Sequence, residues 1–192
     1  MLKRIIAFAD GENLLFRYQA MLDGGRIARG DVVHIRDAFV WSPHVTLWSE
    51  MDLIRVQYYT SVVGDDQRVA AVEASIAATH FRCQAAGTGY TGVAHLIPRV
   101  HKKLQASNKV KVVDVDITMD VMRAMLTMPV DGIYLLTGDG DYLPLVREIT
   151  RHSSKQVYIG AFSSGLAESL RTSGEAFVDL DPMFFEARAG EQ

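Results

Sequence analysis

Cysteine is nearly absent from this 192-residue chain, and the one present, Cys83, has no partner with which to close an internal disulfide. A disulfide-stapled scaffold and a thiolate-rich zinc centre are both excluded. Long hydrophobic runs are missing too. No stretch approaches the about 20 apolar residues that cross a bilayer, and no signal-peptide pattern precedes the first apolar segment, so a reducing, cytoplasmic setting without a membrane is expected. Positive charge is not in excess, with 20 Lys and Arg against 23 Asp and Glu. A generally basic nucleic-acid coat is thereby excluded, and any polyanion must be held by a local strip. The six histidines show no metal-ligand spacing. Cys83, inside an apolar run, reads as a buried small hydrophobe.

What is present is apolar: 48% of residues are hydrophobic, enough for one substantial core but hardly for two. One domain over residues 1–182 is expected, with 183–192 as a flexible tail because Glu186 to Gln192 is poor in apolar residues. Strand-length apolar runs alternate with stretches of helical period, the pattern of βαβ units and of a mainly parallel sheet between helices. Lys3 to Ala9 reads as a strand, and Leu14, Leu15, Tyr18, Met21 and Leu22 recur at helical spacing up to Gly24-Gly25. Leu53 to Thr60 is a second strand, with a helix from Val69 to about Thr79. Phe81 to Ala86, Gly132 to Thr137, Gln156 to Ile159 and Ala176 to Leu180 add further strands, and helices are expected over 117–128, 142–152 and 166–170. Between Arg26 and Pro43 the pattern breaks down, leaving a short edge strand at Val32 to Ile35 and a short helix flanked by Trp41 and Trp48.

The chemistry sits where strands end. Asp10, with Glu12 and Asn13 close behind, follows the run Arg4 to Ala9, and Asp139-Gly140-Asp141 follows Gly132 to Thr137. Open α/β sheets keep their ligands beyond the carboxyl ends of their strands. Singly, these acids have structural explanations: Asp and Asn cap helices and make turns, and Asp114 and Asp116 suit a helix amino terminus. Gathered at one rim with an acid-bearing helix just upstream of the second strand, they point to a bound divalent cation. Oxygen ligands without thiols favour a hard ion, Mg²⁺ or Mn²⁺.

Three ordered segments carry a resemblance. Phe8-Ala9-Asp10-Gly11-Glu12-Asn13-Leu14, Lys111 to Asp114 with Asp120 six residues on, and Leu136 to Leu145 around Gly138-Asp139-Gly140-Asp141 resemble the motifs of the NYN domain. This is the PIN-like nuclease family that includes the bacterial LabA and DUF88 proteins. Thr137 stands where serine is usual, and Val112 where glycine is frequent. The resemblance implies a three-layer α/β/α PIN-like sandwich and a metal-dependent endoribonuclease. Asp10, Asn13, Asp114, Asp120, Asp139 and Asp141 would be its catalytic residues, with Asp10, Asp120, Asp139 and Asp141 on Mg²⁺ or Mn²⁺. It also makes a homodimer an expectation. Such a site would polarise an RNA phosphodiester and activate a water without a covalent intermediate.

Two further features need weighing. Arg99, His101, Lys102, Lys103, Lys109 and Lys111 concentrate positive charge before the acidic helix, and Lys102, Lys103, Lys109 and Lys111 are candidates for tracking an RNA backbone, against the reading of a solvated basic face. Gly87-Thr88-Gly89-Tyr90-Thr91-Gly92 fits a dinucleotide fingerprint, but Pro98 falls where the crossover helix should run, so a glycine-rich loop is the better reading. Two competing functions remain. One is a non-catalytic RNA- or protein-binding regulator on the same fold. The other is a haloacid-dehalogenase-like phosphatase, which would need a second Asp where this chain has Glu12.

Overall fold

In a computed structural model, residues 3–47, 51–84, 91–103 and 111–187 are described. The chain begins with β1 (Lys3–Asp10), whose last six residues are all buried, and passes without a loop into α1 (Gly11–Asp23). A small antiparallel hairpin, β2 (Val33–Ile35) with β3 (Phe39–Trp41), and a single 3₁₀ turn precede β4 (Met51–Val63) and α2 (Asp66–Ala78). A second antiparallel pair, β5 (His80–Gln84) and β6 (Thr91–His95), leads into β7 (Ile97–Lys103) and α3 (Val112–Thr127). Then follow β8 (Gly132–Leu136), α4 (Leu143–His152), β9 (Gln156–Ala161), α5 (Glu168–Arg171), β10 (Ala176–Asp179) and α6 (Asp181–Phe184).

Among the described residues six strands form one sheet in the order β10-β9-β8-β1-β4-β7, and every neighbouring pair is parallel. Strands buried on both faces need apolar residues at successive positions, which is why β1 reads as an unbroken run. Its side chains alternate between two cores. Ile5, Ala7 and Ala9 pack with Leu14, Leu15, Tyr18 and the hairpin's Phe39 and Trp41 on one face. Ile6 and Phe8 pack with Val113, Ile117, Val121, Val146 and Ile149 on the other. The expected α/β/α sandwich is therefore present, with β1 at its centre, flanked by β8 and β4. That order brings the carboxyl ends of β1 and β8 side by side.

Three expectations change. The strand at 33–35 pairs in its own hairpin with β3 rather than at an edge of the main sheet, and among the described residues β5 likewise pairs with β6 alone. The basic stretch before α3 contains β7, an edge strand of the central sheet, paired from Gln57↔Ile97 to Val63↔Lys103. The boundary at 182 falls inside α6, and Phe184 and Phe185 beyond it are buried. Phe185 stacks on Tyr18 with centroids 5.2 Å apart, receives the Arg26 guanidinium on its ring, and forms a bridge to Ala28. Two aromatic side chains outweigh the polar composition around them. Residues 188–192, Trp48, the side chain of Cys83 and residues 87–90 of the glycine-rich motif lie outside the described residues. No helix among the described residues is long and apolar enough to cross a membrane.

Phe185 is 1% exposed, so Phe185→Ala is expected to destabilise the fold by about 3–5 kcal/mol, as large-to-small core substitutions do. Urea denaturation measures this directly; a loss under about 1 kcal/mol would show that the segment after 182 is dispensable.

Candidate active site

Asp10 ends β1 and caps α1. Its Oδ1 accepts the Asn13 N–H at 3.0 Å, and its Oδ2 accepts the Thr137 hydroxyl at 3.0 Å. The second bond follows from register, because Ala9 pairs with Leu136 and the next residue of each strand stands beside the other. Thr137 Oγ1 also accepts the Asp139 N–H at 3.1 Å, so a single hydroxyl ties the two strand-end acids together. Asn13 completes the frame by accepting the Gly138 N–H on its Oδ1 at 3.0 Å. Asp139 Oδ1 in turn accepts the Asp141 N–H at 3.0 Å and starts the turn Gly140–Tyr142 that runs into α4. The direct passage from Asp10 into α1 requires Gly11: a Cβ there would lie 2.3 Å from the Tyr58 ring and 2.6 Å from the Tyr59 carbonyl oxygen.

The electrostatics of this rim are unfavourable without a cation. Asp10 is 3% exposed, and burial pushes its pKa up to about 7; the bonds from Asn13 and Thr137 oppose that rise, while Asp114 and Glu12 reinforce it. Asp114, on the first turn of α3, is also held above the usual carboxylate range. Burial contributes most, the Tyr142 hydroxyl at 3.2 Å from Oδ1 opposes it, and Asp139, Glu12 and Asp141 add to it. Tyr142 is raised by burial and by the negative charges of Asp10, Asp114 and Asp139. Asp10, Asp114, Asp139 and Asp141 thus share one field, together with Glu12.

Asp120 is not brought to this cluster. Six residues along a helix carry it about 9 Å down the axis and about 240° around it from Asp114. Its Oδ2 accepts the Tyr59 hydroxyl at 2.8 Å and lies 3.9 Å from Arg99 Nε, while its Oδ1 pairs with Arg123. Asp120, expected as a metal ligand, instead makes contacts that join α3 to β4 and β7. The lysines of the basic strip differ in their surroundings. Lys103 pairs with Glu12, which also accepts the Ser61 hydroxyl, and the Lys103 side chain is only 15% exposed. Lys102 reaches Asp66 on α2 at 2.6 Å. Lys111 stands exposed at the start of α3, and Lys109 lies outside the described residues.

Four residues join the site that motif reading left off its list. Glu12 lay in the first motif but was passed over beside Asp10. Thr137 was noted only as a hydroxyl, and Tyr142 stood next to Asp141 without an acid in sight to donate to. Arg17 lies one helical turn beyond Asn13 with its guanidinium over Gly165, so close that a Cβ there would meet Cζ at 2.0 Å. Its Nε is buried with no hydrogen-bond partner among the described residues. Only an i, i+4 relation to Asn13 marked it in the sequence.

The donor set is oxygen only, which suits Mg²⁺ or Mn²⁺. Among the described residues no three His, Cys, Asp or Glu side chains close round an ion unaided. That arrangement fits a cation that keeps several waters and takes one or two carboxylates, as Mg²⁺ commonly does. A buried Asp10 beside further acids is the observation that favours occupancy.

Comparison with known proteins bears on family and fold. The NYN domain family matches residues 4–181. A crystal structure of a protein of unknown function from Vibrio parahaemolyticus superposes with a TM-score of 0.60 at 18% identity, covering 96% of this chain and 97% of that one. At that identity the likeness speaks for the fold alone. No curated protein matches.

Asp10 supplies a prediction. Its pKa in the fold, about 7, exceeds the ordinary 3.8, so its contribution to stability is complete below pH 4 and is lost as pH rises towards 7. In EDTA, Asp10→Asn should therefore gain Tm relative to the parent across this window and hold the gain above it, by several degrees. Millimolar Mn²⁺ should raise the Tm of the parent at pH 8, less at pH 5, and not that of the variant. Thermal scans at four pH values decide the matter, and a difference independent of pH would contradict the burial penalty.

Proposed function

The chain belongs to the NYN domain family of the PIN-like nuclease superfamily, and from that premise we propose that it is a metal-dependent endoribonuclease whose active site is the rim around Asp10. Family membership supports the nuclease-type function. The buried Asp10 carboxylate, acted on by the charge of Asp114 from α3 and linked to Asp139 through the Thr137 hydroxyl, supports the placement of the site.

In this reading Asp10 and Asp139 would hold Mg²⁺ or Mn²⁺, with Asp114 and Asp141 beside them. The bound ion supplies Lewis-acid stabilisation of the phosphoryl oxygens and lowers the pKa of a water. The protein supplies orientation. Thr137 fixes Asp10 Oδ2, and Asn13 fixes the Gly138 backbone and thereby the direction of Asp139. Asp114, whose Oδ1 accepts the Tyr142 hydroxyl and whose carboxyl is held above its usual range by burial and then by its acidic neighbours, would receive the proton of the attacking water on Oδ2. Arg17 carries positive charge beside the Gly138 turn, where a substrate phosphate would need it. A phosphatase of the haloacid-dehalogenase kind fits poorly, because Glu12 is tied to Lys103 and Ser61 rather than free to serve as general acid.

Cleavage of a labelled RNA oligomer with Mn²⁺ tests this. Asp10→Asn and Asp139→Asn should each lower the rate by about a hundred-fold or more, and Asn13→Ala by about 10–100-fold, as loss of orienting partners does. Asp120→Asn should keep most activity and instead lower Tm, since its partners are structural. Parent activity in Asp139→Asn would place the site elsewhere, and RNA binding without any cleavage by the parent would favour the regulator.

A further inference from the structure

A groove of about 500 Å³ lies beside the acidic rim, bounded by the first two turns of α1, the β2–β3 turn, the end of β4 and the start of α2. Its volume is within the ~300–1,000 Å³ typical of ligand pockets. Glu12 lines the groove, where it pairs with Lys103, and its charge also acts on Asp10 and Asp114, so groove and rim are neighbours. Along α1 the groove is floored by Glu12, Phe16 and Gln19, which share one helical face at i, i+4 and i+7.

Three features of this floor are unusual for a surface with no occupant. Phe16 is 63% exposed at the mouth of the cleft, with the Arg17 guanidinium carbon 5.3 Å from its ring centroid, and an aromatic side chain so exposed forgoes much of the burial that would normally stabilise it. Asp37, on the opposite wall, is the only non-glycine residue with positive φ among the described residues, at 58°. Aspartate tolerates that conformation in a tight turn, which here fixes its place on the wall of the groove. Its carboxylate is oriented by the Gln19 amide at 3.3 Å, with Arg36 outside it at 3.8 Å, which sets hydrogen-bonding groups at the edge of the Phe16 face. Third, Arg68 lines the groove, is exposed, and has no ion-pair partner among the described residues, unlike Lys102 and Lys103 nearby.

An exposed ring with polar groups at its edge and an unpaired cation alongside is the combination that holds a single-stranded nucleotide: the base stacks, its edge meets Gln19 and Asp37, and its phosphate meets the guanidinium. We propose that this groove is a nucleotide subsite in which Phe16 stacks an unpaired base of the substrate, and Arg68 holds the adjoining phosphate. Phe16 stands six residues, about 9 Å of helix axis, from Asp10. The subsite therefore binds a nucleotide flanking the scissile one and selects single strands over duplexes. It rests on the reading of the rim as a nuclease site for its purpose, though not for its existence.

Binding is measured by fluorescence polarisation of a labelled 12-nucleotide single-stranded RNA on the intact protein in EDTA, where cleavage does not interfere. Phe16→Ala should weaken binding about ten-fold, the worth of one stacked base, and Phe16→Tyr should restore it. Arg68→Ala should weaken binding and lower the slope of log affinity against log salt by about one. Leu126→Ala, an exposed apolar residue on α3 far along the chain from the groove, should change nothing. Phe16→Ala binding as tightly as the parent overturns the subsite. So does equal affinity for duplex and single-stranded RNA, because a paired base cannot stack on Phe16. Phe16-dependent binding by a parent that cleaves no RNA with Mn²⁺ would retain the subsite and sink the nuclease reading; cleavage indifferent to Phe16 would do the reverse.

Discussion

A carboxylate buried at the end of a central strand must be compensated, and around Asp10 much of the local architecture does so. One hydroxyl and one backbone N–H reach its two oxygens, and neither carries charge. The remaining imbalance is made worse by the neighbouring acids, so the fold holds a site that is poorly satisfied alone. The strand order follows the same need: β1 between β8 and β4 sets Thr137 against Asp10 on one side and leaves Tyr58 and Tyr59 packed against Gly11 on the other. A side chain at position 11 would push the first turn of α1 away and carry Asn13 off Gly138. Packing and site geometry are here one constraint.

The long helix α3 divides its acids between two tasks. Asp114, on its first turn, looks to the rim and is bonded by Tyr142. Further along, Asp116 lies 2.8 Å from His101 Nε2 and Asp120 faces Arg99, while Glu12 from α1 takes Lys103. Arg99, His101 and Lys103 alternate along β7, so one face of that strand meets three acids in succession. These pairs are partly exposed and individually weak. Their effect is positional: they seat α3 and the start of α1 against the sheet so that Asp114 and Glu12 reach a common field.

What could be read from the residues and what could not divides along physical lines. β1, α1, β8 and α4 were legible because burial on both faces produces unbroken apolar runs and the helices keep a single apolar stripe. The placing of Asp10 and Asp139 at one rim was legible for a related reason, since a strand end fixes where its next residue lies, whereas Asp114 stands on a helix and was singled out only by its motif. β7 was not legible: Pro98, Lys102 and Lys103 give it the composition of a loop, and an edge strand needs little apolar content. The contacts of Asp120 with Tyr59 and Arg99 were not legible, because spacing along a chain says nothing of what a helix side chain meets across the fold. The contacts of Glu12 with Lys103, 91 residues away, and of Tyr142 with Asp114 depend on tertiary approach that no local pattern encodes.

The charged face of β7 has another consequence, for self-association. In the sheet order β7 is outermost, bonded on one side to β4. An open strand edge is a template on which a second chain can add and begin a fibril. Arg99, His101, Lys102 and Lys103 make such an addition electrostatically unwelcome, and Pro98 offers no N–H to the newcomer. A mutation that neutralised several of these cations would loosen α3 and would also expose an edge along which copies of the chain could polymerise.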